Sequence, residues 1–234
     1  MDAHFEGGEG APSTLASTVY GRLRADVLSG VLAPGVKLRT LDLRERYGTG
    51  ASPLREALNR LAAEKLVAQT DQKGFRVSPA SIEDLRELTK ARIWITDVAL
   101  REAVAAGDAA WEERILLAFH RMMRAKRQGY ETPEAIASLD RLHKQFHTAL
   151  IAACGSRWIV GFAETLFDNA RRYQALSIRS PAHPRDVEGE HRAIMDAVLA
   201  RDADLAVRLH TEHIARTQEI VVDMHALPAG GERA

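Results

Sequence analysis

The chain has 234 residues, of which 46% are apolar and 27% are charged. This composition is typical of soluble globular proteins, and the length suffices for two domains. The 32 basic and 32 acidic residues cancel, which at first argues against nucleic acid as a partner. No stretch is apolar enough to span a membrane, the first residues lack a signal peptide pattern, and the single cysteine, Cys154, excludes an intramolecular disulfide. We therefore expect a cytoplasmic protein.

The N-terminal third begins with a polar tail and two helical patterns. Residues 1–13 are Gly-rich and acidic, and we expect them to be a disordered tail. From Thr14 to Gly30 apolar residues recur at the spacing of an amphipathic helix, and a second, short helix is predicted over Thr40–Tyr47. The apolar positions of the first helix are Leu15, Val19, Leu23, Val27 and Leu28.

A third helix and a hairpin follow. Ser52 before Pro53 predicts a helix start at which Ser52 caps a free backbone amide. Three leucines, Leu54, Leu58 and Leu61, are expected to face inward. The runs LVAQT and FRVSP, separated by DQKG, read as a β-hairpin with Gly74 near its tip. Three helices and a hairpin predict a winged helix-turn-helix.

The rest of the chain has only helical patterns. Short separators with Gly, Pro or Asp divide them, which indicates an antiparallel bundle. The fold class is therefore mainly α: an N-terminal winged helix-turn-helix and a C-terminal all-α antiparallel helical bundle. The predicted helices are Ser81–Ala106, Ala109–Arg127, Pro133–Ala153, Arg157–Ser177, Asp186–Ala200 and Asp204–His225. The predicted domains are 14–79 and 88–226, with a linker and helix start at 80–87 and a tail at 227–234.

The zero net charge is unevenly distributed. Residues 14–79 hold 11 basic and 6 acidic residues, whereas residues 80–234 hold 21 basic and 23 acidic ones. A positively charged winged helix-turn-helix has the electrostatic pattern that binding to a phosphate backbone requires. The positive charge of residues 14–79 therefore means that the zero net charge of the whole chain does not argue against nucleic acid as a partner.

The N-terminal sequence carries a family motif. PGVKLRTLDLRERYGTGASPLREALNRLAAEKLVAQTDQKGFRV resembles the DNA-binding domain of the GntR family of bacterial transcription regulators. The resemblance implies that Arg55 contacts operator DNA, that Ser52 anchors the recognition helix on a phosphate, and that Gly74 lets the wing approach the minor groove. The other candidate DNA contacts are Arg39, Arg44, Arg60, Lys73 and Arg76.

Some of these arginines have a second interpretation. Arg39, Arg44, Arg46 and Arg60 could equally form a solvated face without contact to DNA. The chain also departs from the family, because Gly50 and Ala51 replace a frequent Ser-Arg pair and Leu41 replaces a frequent Arg. Fewer side chains are therefore available to read bases.

Histidines are the main chemical signal of the helical part. Nine are present, and four are predicted on inward faces of three helices. His143 and His147 lie one turn apart beside an apolar stripe through Ile136, Leu139, Phe146 and Leu150. His191 and His213 lie on two later helices. Imidazole is the commonest protein ligand of divalent transition metals, although a buried histidine is more often only hydrogen-bonded.

Residues from about Leu88 to Ala226 resemble the FCD ligand-binding domain of FadR-type regulators. HKQFHTALIAACGS and EHRAIMDAVLARDADLAVRLHTEHI carry the resemblance. It implies a metal site of one Asp and three His, where His147, His191 and His213 match the histidines and His143 takes the position of the Asp. If all four imidazoles bind, they favour zinc, with nickel or manganese as alternatives; the alternative is a site in which His143 is not a ligand and only three histidines hold the ion.

A cationic residue is predicted in the same cavity. Arg92 lies at helical spacing with Leu85, Ile95 and Ala99, and a buried guanidinium requires an anionic partner. The partner is either a helix acid such as Glu190 or, as the resemblance implies, a carboxylate effector. The weaker effector candidates are Asn169, Arg172 and Tyr173, of which Asn169 and Tyr173 are predicted to share an inward face with Phe162 and Leu166.

These features predict a homodimeric, DNA-binding transcriptional repressor controlled by a small carboxylate bound at a metal ion. Resemblance to carbon-starvation-induced regulators suggests a C4 to C5 dicarboxylate or hydroxy acid. Two alternatives remain open: a metal-free regulator that binds a hydrophobic or acyl ligand, and a metal-dependent enzyme on small acids. The enzyme lacks support because Lys144, not Glu, follows His143, so no HExxH base is present.

Overall fold

The computed structural model describes residues 14–70, 74–129, 132–177 and 185–226. Lys73 and both predicted tails lie outside these residues. The chain divides into two compact units, Met1–Val27 with Val31–Pro79 and Leu28–Gly30 with Ala80–Ala234.

The first unit contains three helices and a three-stranded sheet among its described residues. In chain order the elements are α1 (Leu15–Leu28), β1 (Lys37–Leu38), α2 (Thr40–Tyr47), α3 (Ala51–Ala63), β2 (Val67–Thr70) and β3 (Gly74–Val77). The predicted apolar face of α1 is buried except for Leu15, which is 55% exposed at the first turn, where Ala16 is buried instead. The prediction for Leu15 was therefore wrong.

The helix-turn-helix is formed by α2 and α3. Gly48 ends α2 with φ +60°, a left-handed conformation that glycine adopts without strain. Helix α3 begins at Ala51, and Gly50 occupies the cap position in an extended conformation without a side-chain hydrogen bond. The prediction that Ser52 is the cap was wrong, because Ser52 already lies in the first turn. Leu54, Leu58 and Leu61 are buried as predicted and fix α3 to the core.

The predicted hairpin is present and gains a third strand. The strand order is β1-β3-β2 and both pairs are antiparallel. Gly74 pairs with Thr70 at the loop end of the hairpin and has φ +87°. Strand β1 was not predicted, because two residues are too few to produce an alternating pattern. Leu38 and Phe75, which pair across β1 and β3, are both buried.

The described part of the second unit is all-helical. Its elements are α4 (Ile82–Ala106), α5 (Ala109–Arg127), α6 (Pro133–Ile151), α7 (Arg157–Ser177), α8 (Val187–Leu199) and α9 (Ala203–Ala226). Helix α4 starts where predicted, because the Ser81 hydroxyl accepts the backbone N–H of Asp84 at 3.0 Å. This architecture confirms the predicted mainly α fold class.

The core of the bundle is aromatic and aliphatic. Trp111, Phe146 and Leu150 are fully buried, and the Trp111 indole donates to the backbone carbonyl of Ala149 at 2.8 Å. Ile136 is 36% exposed, so its predicted inward position on α6 was wrong. Pairs of helices pack side by side, notably α5 with α6, α4 with both α7 and α9, and α8 with α9.

Helices α4 and α7 run antiparallel. The Tyr173 hydroxyl near the end of α7 binds Asp84 at the start of α4, and Arg92 farther along α4 stacks on Phe167. The predicted inward position of Phe162 on α7 was wrong, since its ring is 56% exposed. The buried residues of α7 begin at Phe167, so Phe162 lies before the buried part of the helix although it shares a face with Asn169.

Candidate metal centre and nucleic-acid interface

Four histidines from three helices meet inside the bundle. They are the four that the sequence selected: His143 and His147 on α6, His191 on α8 and His213 on α9. One ligand atom from each lies within 4.8 Å of all the others. The rings of Phe146 and Phe167 pack against this four-histidine centre.

Three ring nitrogens converge on one point. The Nε2 atoms of His143, His147 and His191 are separated by 3.0, 3.0 and 3.2 Å. An imidazole nitrogen has a single site, either a lone pair or a proton, so hydrogen bonds cannot satisfy three nitrogens that all point inward. Nitrogen ligands at about 2.0–2.1 Å from a zinc ion stand roughly 3 to 3.4 Å apart. The separations therefore fit a divalent ion.

Burial keeps these histidines uncharged. Desolvation lowers the pKa of His191 to about 3 and lowers the pKa of His143 and His147 well below the ordinary value. The neighbouring imidazoles act in the same direction because a second positive charge in the cluster would be repelled. At neutral pH the rings are thus neutral, which is the form that binds metals.

An acidic residue orients His213. Its Nδ1 donates to the Glu190 carboxylate at 2.8 Å, which leaves Nε2 available to the centre. Burial alone would raise the pKa of Glu190, but hydrogen bonds from His213 and from Arg185 and Arg216 lower it below its usual range. A carboxylate behind a histidine ligand is the usual outer arrangement of metal sites.

A fifth histidine, which sequence reasoning missed, stands behind His147. His210 is buried, and its Nε2 lies 3.3 Å from Nδ1 of His147. When Nδ1 of His147 carries the proton, it can donate to Nε2 of His210. This hydrogen bond orients the His147 ring so that its own Nε2 faces the centre. The available signal was its position three residues before His213, one turn away on the same helix.

A small cavity adjoins the centre. Its lining includes His147 and His210, together with Arg92 and the Phe167 ring on which Arg92 stacks. The lining is completed by Thr96, Thr148, Ile151, Ala163 and Glu164.

Arg92 is half-buried in this cavity. Its guanidinium stacks on Phe167 at 5.6 Å, and burial lowers its pKa to about 10. Arg92 forms no ion pair with any residue that the structure describes. The proposed partner Glu190 is instead engaged by Arg185 at 2.6 Å and by Arg216 at 3.0 Å. The cavity therefore offers an unpaired cation to an anion.

The three other effector candidates do not line this cavity. The Tyr173 hydroxyl binds Asp84 and accepts the backbone N–H of Ser81 at 3.3 Å. Arg172 lies 3.8 Å from the Asp84 carboxylate, and the Asn169 amide donates to the Thr165 carbonyl at 2.9 Å. Arg172 and Tyr173 therefore hold the start of α4 against α7.

The predicted DNA contacts lie on the surface of the first unit. Those within the described residues are all exposed: Arg39, Arg44, Ser52, Arg55, Arg60, Gly74 and Arg76. Arg39, Arg44 and Arg55 form no ion pair within the described ranges, so their charges are free for phosphates. Arg60 differs, since it stacks on Tyr20 at 3.9 Å and donates to Ser17. Leu41, 72% exposed, lines a shallow surface depression with Arg44 and Gly50.

Both units match family models. Residues 15–77 match the model of bacterial regulatory proteins of the gntR family, and residues 87–216 match the FCD domain. The chain belongs to the GntR family and carries an FCD domain. It is therefore a DNA-binding transcriptional regulator and not an enzyme.

Named relatives agree with this assignment. The regulator is 36% identical to the uncharacterized HTH-type transcriptional regulator BphR of Paraburkholderia xenovorans, over 89% of this chain and 85% of that one. It is also 36% identical to the HTH-type transcriptional repressor GlaR of Escherichia coli, over 83% of this chain and 90% of that one.

Solved structures share the fold of the regulator. Escherichia coli McbR/YncC superposes with a TM-score of 0.73 at 21% identity, covering 91% of this chain and 99% of that one. A putative GntR regulator from Rhodococcus superposes with a TM-score of 0.70 at 20% identity, covering 89% and 97%. Along the described stretches, no helix of the regulator is long and apolar enough to cross a membrane.

The buried histidines predict a pH-dependent stability of the metal-free regulator. The unfolded chain binds protons at these histidines below about pH 6.5, whereas the folded chain does not, so stability falls as the pH falls. Each such histidine is expected to remove roughly 1.3 kcal/mol between pH 7.5 and 5.5. Urea unfolding of chelator-treated protein at both pH values measures the loss. His210→Gln should reduce it, the exposed His120→Ala should not, and equal stability at both pH values would contradict the prediction.

Proposed function

We propose that the regulator is a cytoplasmic repressor whose affinity for operator DNA falls when a small carboxylate binds beside a metal ion in the FCD domain. One observation carries the proposal: Arg92, a cation without an ion-pair partner among the described residues, lines the same cavity as His147 of the four-histidine centre. A buried cation without a partner is costly unless a ligand supplies the anion.

The donor set favours zinc or nickel over manganese. Imidazole suits late transition metals, whereas manganese prefers carboxylate and water ligands. His143 replaces the Asp that the family resemblance implies, so all four candidate ligands are neutral. A bound divalent ion would supply an open coordination position for a carboxylate oxygen.

Residues of the chain orient the effector in this cavity. Arg92 donates two parallel hydrogen bonds to a carboxylate, and Phe167 holds its guanidinium in place. The small cavity and its single guanidinium suit a short acid, such as the C4 to C5 dicarboxylates or hydroxy acids that the resemblance suggests. A long acyl chain, the ligand of the metal-free alternative, would need a larger and more apolar space than this cavity, whose lining includes four polar or charged side chains besides its histidines.

Helices α4 and α7 transmit the signal. Both line the cavity, through Arg92 on α4 and through Phe167 on α7. Tyr173 and Arg172 of α7 hold Asp84 in the first turn of α4, and a four-residue segment separates this helix from the winged domain in the sequence. A ligand that shifts α7 against α4 therefore acts on the residues that join the FCD domain to the winged domain.

The same two helices carry a surface for a second copy of the chain. Trp94 and Val98 on α4 are 62% and 51% exposed, and Trp158 and Phe162 on α7 are 66% and 56% exposed. The antiparallel register set by Asp84–Tyr173 and Arg92–Phe167 places Val98 nearly level with Phe162, with Trp94 and Trp158 about one helical turn to either side. Exposed apolar patches on soluble proteins mark interaction surfaces, and a symmetric dimer fits a palindromic operator.

Trp158→Arg is expected to convert the dimer to a monomer of 25.8 kDa, because it places a charge in the apolar surface. Sedimentation velocity measures the mass. Leu117→Arg, at a position on α5 that is 47% exposed, is the matched control and should remain dimeric. A dimeric Trp158→Arg variant would exclude this surface as the interface.

Arg92→Met tests the effector site. The variant keeps much of the packing against Phe167 but removes the charge, and we expect a loss of roughly 10- to 100-fold in affinity for carboxylates, because a hydrogen bond to a charged group is worth about 1.5–3 kcal/mol. Isothermal titration of zinc-loaded protein with C4 and C5 acids measures the effect. Arg86→Met, an exposed position on the same helix, is the control. Unchanged affinity in Arg92→Met would refute the proposed role of Arg92.

A further inference from the structure

The effector cavity contains a carboxylate as well as a guanidinium. Glu164 on α7 lines the cavity together with Arg92. The two charges do not form an ion pair with each other. Glu164 lies one helical turn from Phe167, the ring on which Arg92 stacks.

Glu164 is not neutralised by its neighbours. Within the described part of the chain its only hydrogen-bond donor is the Thr148 hydroxyl, at 3.3 Å. Lys144 lines a neighbouring surface pocket together with Glu164, but its ammonium group is paired with Asp168 at 2.6 Å. The cavity thus presents both a cation, Arg92, and an anion with unused acceptor sites, Glu164.

These contacts restrict what the far end of the effector can be. A second carboxylate would face Glu164, and two like charges in a confined site repel strongly. A hydroxyl or ammonium group would instead donate to Glu164, with Thr96 and Thr148 as further polar neighbours. An aliphatic end would leave the acceptor sites of Glu164 without a partner and lose the corresponding hydrogen bond.

We infer that the effector is a short monocarboxylate with a hydrogen-bond donor at its other end, a hydroxy acid or an amino acid, and that Glu164 selects it against dicarboxylates. This inference rests on the proposed function, since it assumes that Arg92 holds the carboxylate. The contact with Arg92 accounts for one end of the effector, and the inference concerns the chemical group at the other end.

Two series of matched acids test the inference. The four-carbon series is butyrate, 4-hydroxybutyrate, 4-aminobutyrate and succinate, and the five-carbon series is valerate, 5-hydroxyvalerate, 5-aminovalerate and glutarate. Each is titrated calorimetrically into the full-length, zinc-loaded regulator. In at least one of the two series, the hydroxy acid or the amino acid should bind at least about tenfold more tightly than both the unsubstituted acid and the dicarboxylate. One charge-assisted hydrogen bond is worth a difference of this size.

Glu164→Gln provides the decisive comparison. The substitution preserves shape and removes the charge, so the advantage of an amino acid over the dicarboxylate should shrink at least about tenfold. Glu113→Gln, an exposed position on α5, is the control and should leave the preference unchanged. Metal content and melting temperature establish that both variants are folded.

The possible failures are distinguishable. If the dicarboxylate binds wild type most tightly and Glu164→Gln leaves the ratio unchanged, the inference about Glu164 is wrong while the carboxylate site stands. If acids bind but Arg92→Met does not weaken them, the proposed function fails at Arg92, and the inference fails with it. If no acid in either series binds wild type, both are overturned.

Discussion

Arg55→Ala is expected to weaken operator binding by roughly 10- to 100-fold, because a good contact to a base edge is worth about 1–3 kcal/mol. Arg55 lies in the first two turns of α3, is exposed and has no ion-pair partner among the described residues. A helix of this kind places its N-terminal residues against the major groove.

The operator for this measurement comes from selection on a random DNA pool with the purified regulator. Fluorescence anisotropy then gives the dissociation constant at several salt concentrations, and a contact to phosphate alone would lower the salt slope by about one. Arg114→Ala removes the same charge from an exposed position of the FCD domain and should bind normally. If Arg55→Ala binds as tightly as Arg114→Ala, the assignment of Arg55 is wrong.

Removing the metal ion is expected to lower the melting temperature by about 10 °C. An ion present at 1,000 times its dissociation constant stabilises the folded state by about 4 kcal/mol, and each kcal/mol corresponds to roughly 2–4 °C in a chain of this size. The four-histidine centre brings together α6, α8 and α9, so an ion bound there would stabilise three helices at once. Differential scanning calorimetry before and after chelation measures the shift.

His147→Ala is expected to abolish both the metal content and this shift. His147 Nε2 contacts the Nε2 atoms of two other histidines, so its loss leaves an incomplete donor set. His120→Ala removes an exposed histidine of α5 and should bind metal normally. One zinc ion per His147→Ala chain by mass spectrometry would contradict the assignment of the four-histidine centre.

The fold followed from the sequence wherever periodicity was strong. Each described helix of the FCD domain agrees with its predicted bounds to within two residues, because apolar spacing and polar breaks set them locally. The misses have physical causes. Gly50 caps α3 through its extended backbone without a side-chain signal, and β1 forms only because β3 is beside it. Phe162 was misplaced because periodicity indicates which face of α7 is inward but not that only its second half is buried.

The sequence predicted only some of the residues of the candidate site. The four histidines lay on inward faces, and the helices bring them together. His210 and Glu164 were missed because their importance depends on which helices meet: His210 acts behind His147 of α6, and Glu164 shares a cavity with Arg92 of α4. Tyr173 was selected for facing inward, but only coordinates show that its hydroxyl holds Asp84.

Operator titrations at increasing acid concentration test the central claim most directly. The zinc-loaded regulator is titrated with its selected operator in the presence of the acid that binds most tightly in the two series. We predict that saturating acid raises the operator dissociation constant at least about tenfold, and that operator DNA weakens acid binding by the same factor, as reciprocal linkage requires. Superimposed operator curves at every acid concentration, with the acid demonstrably bound, would contradict a carboxylate-controlled repressor.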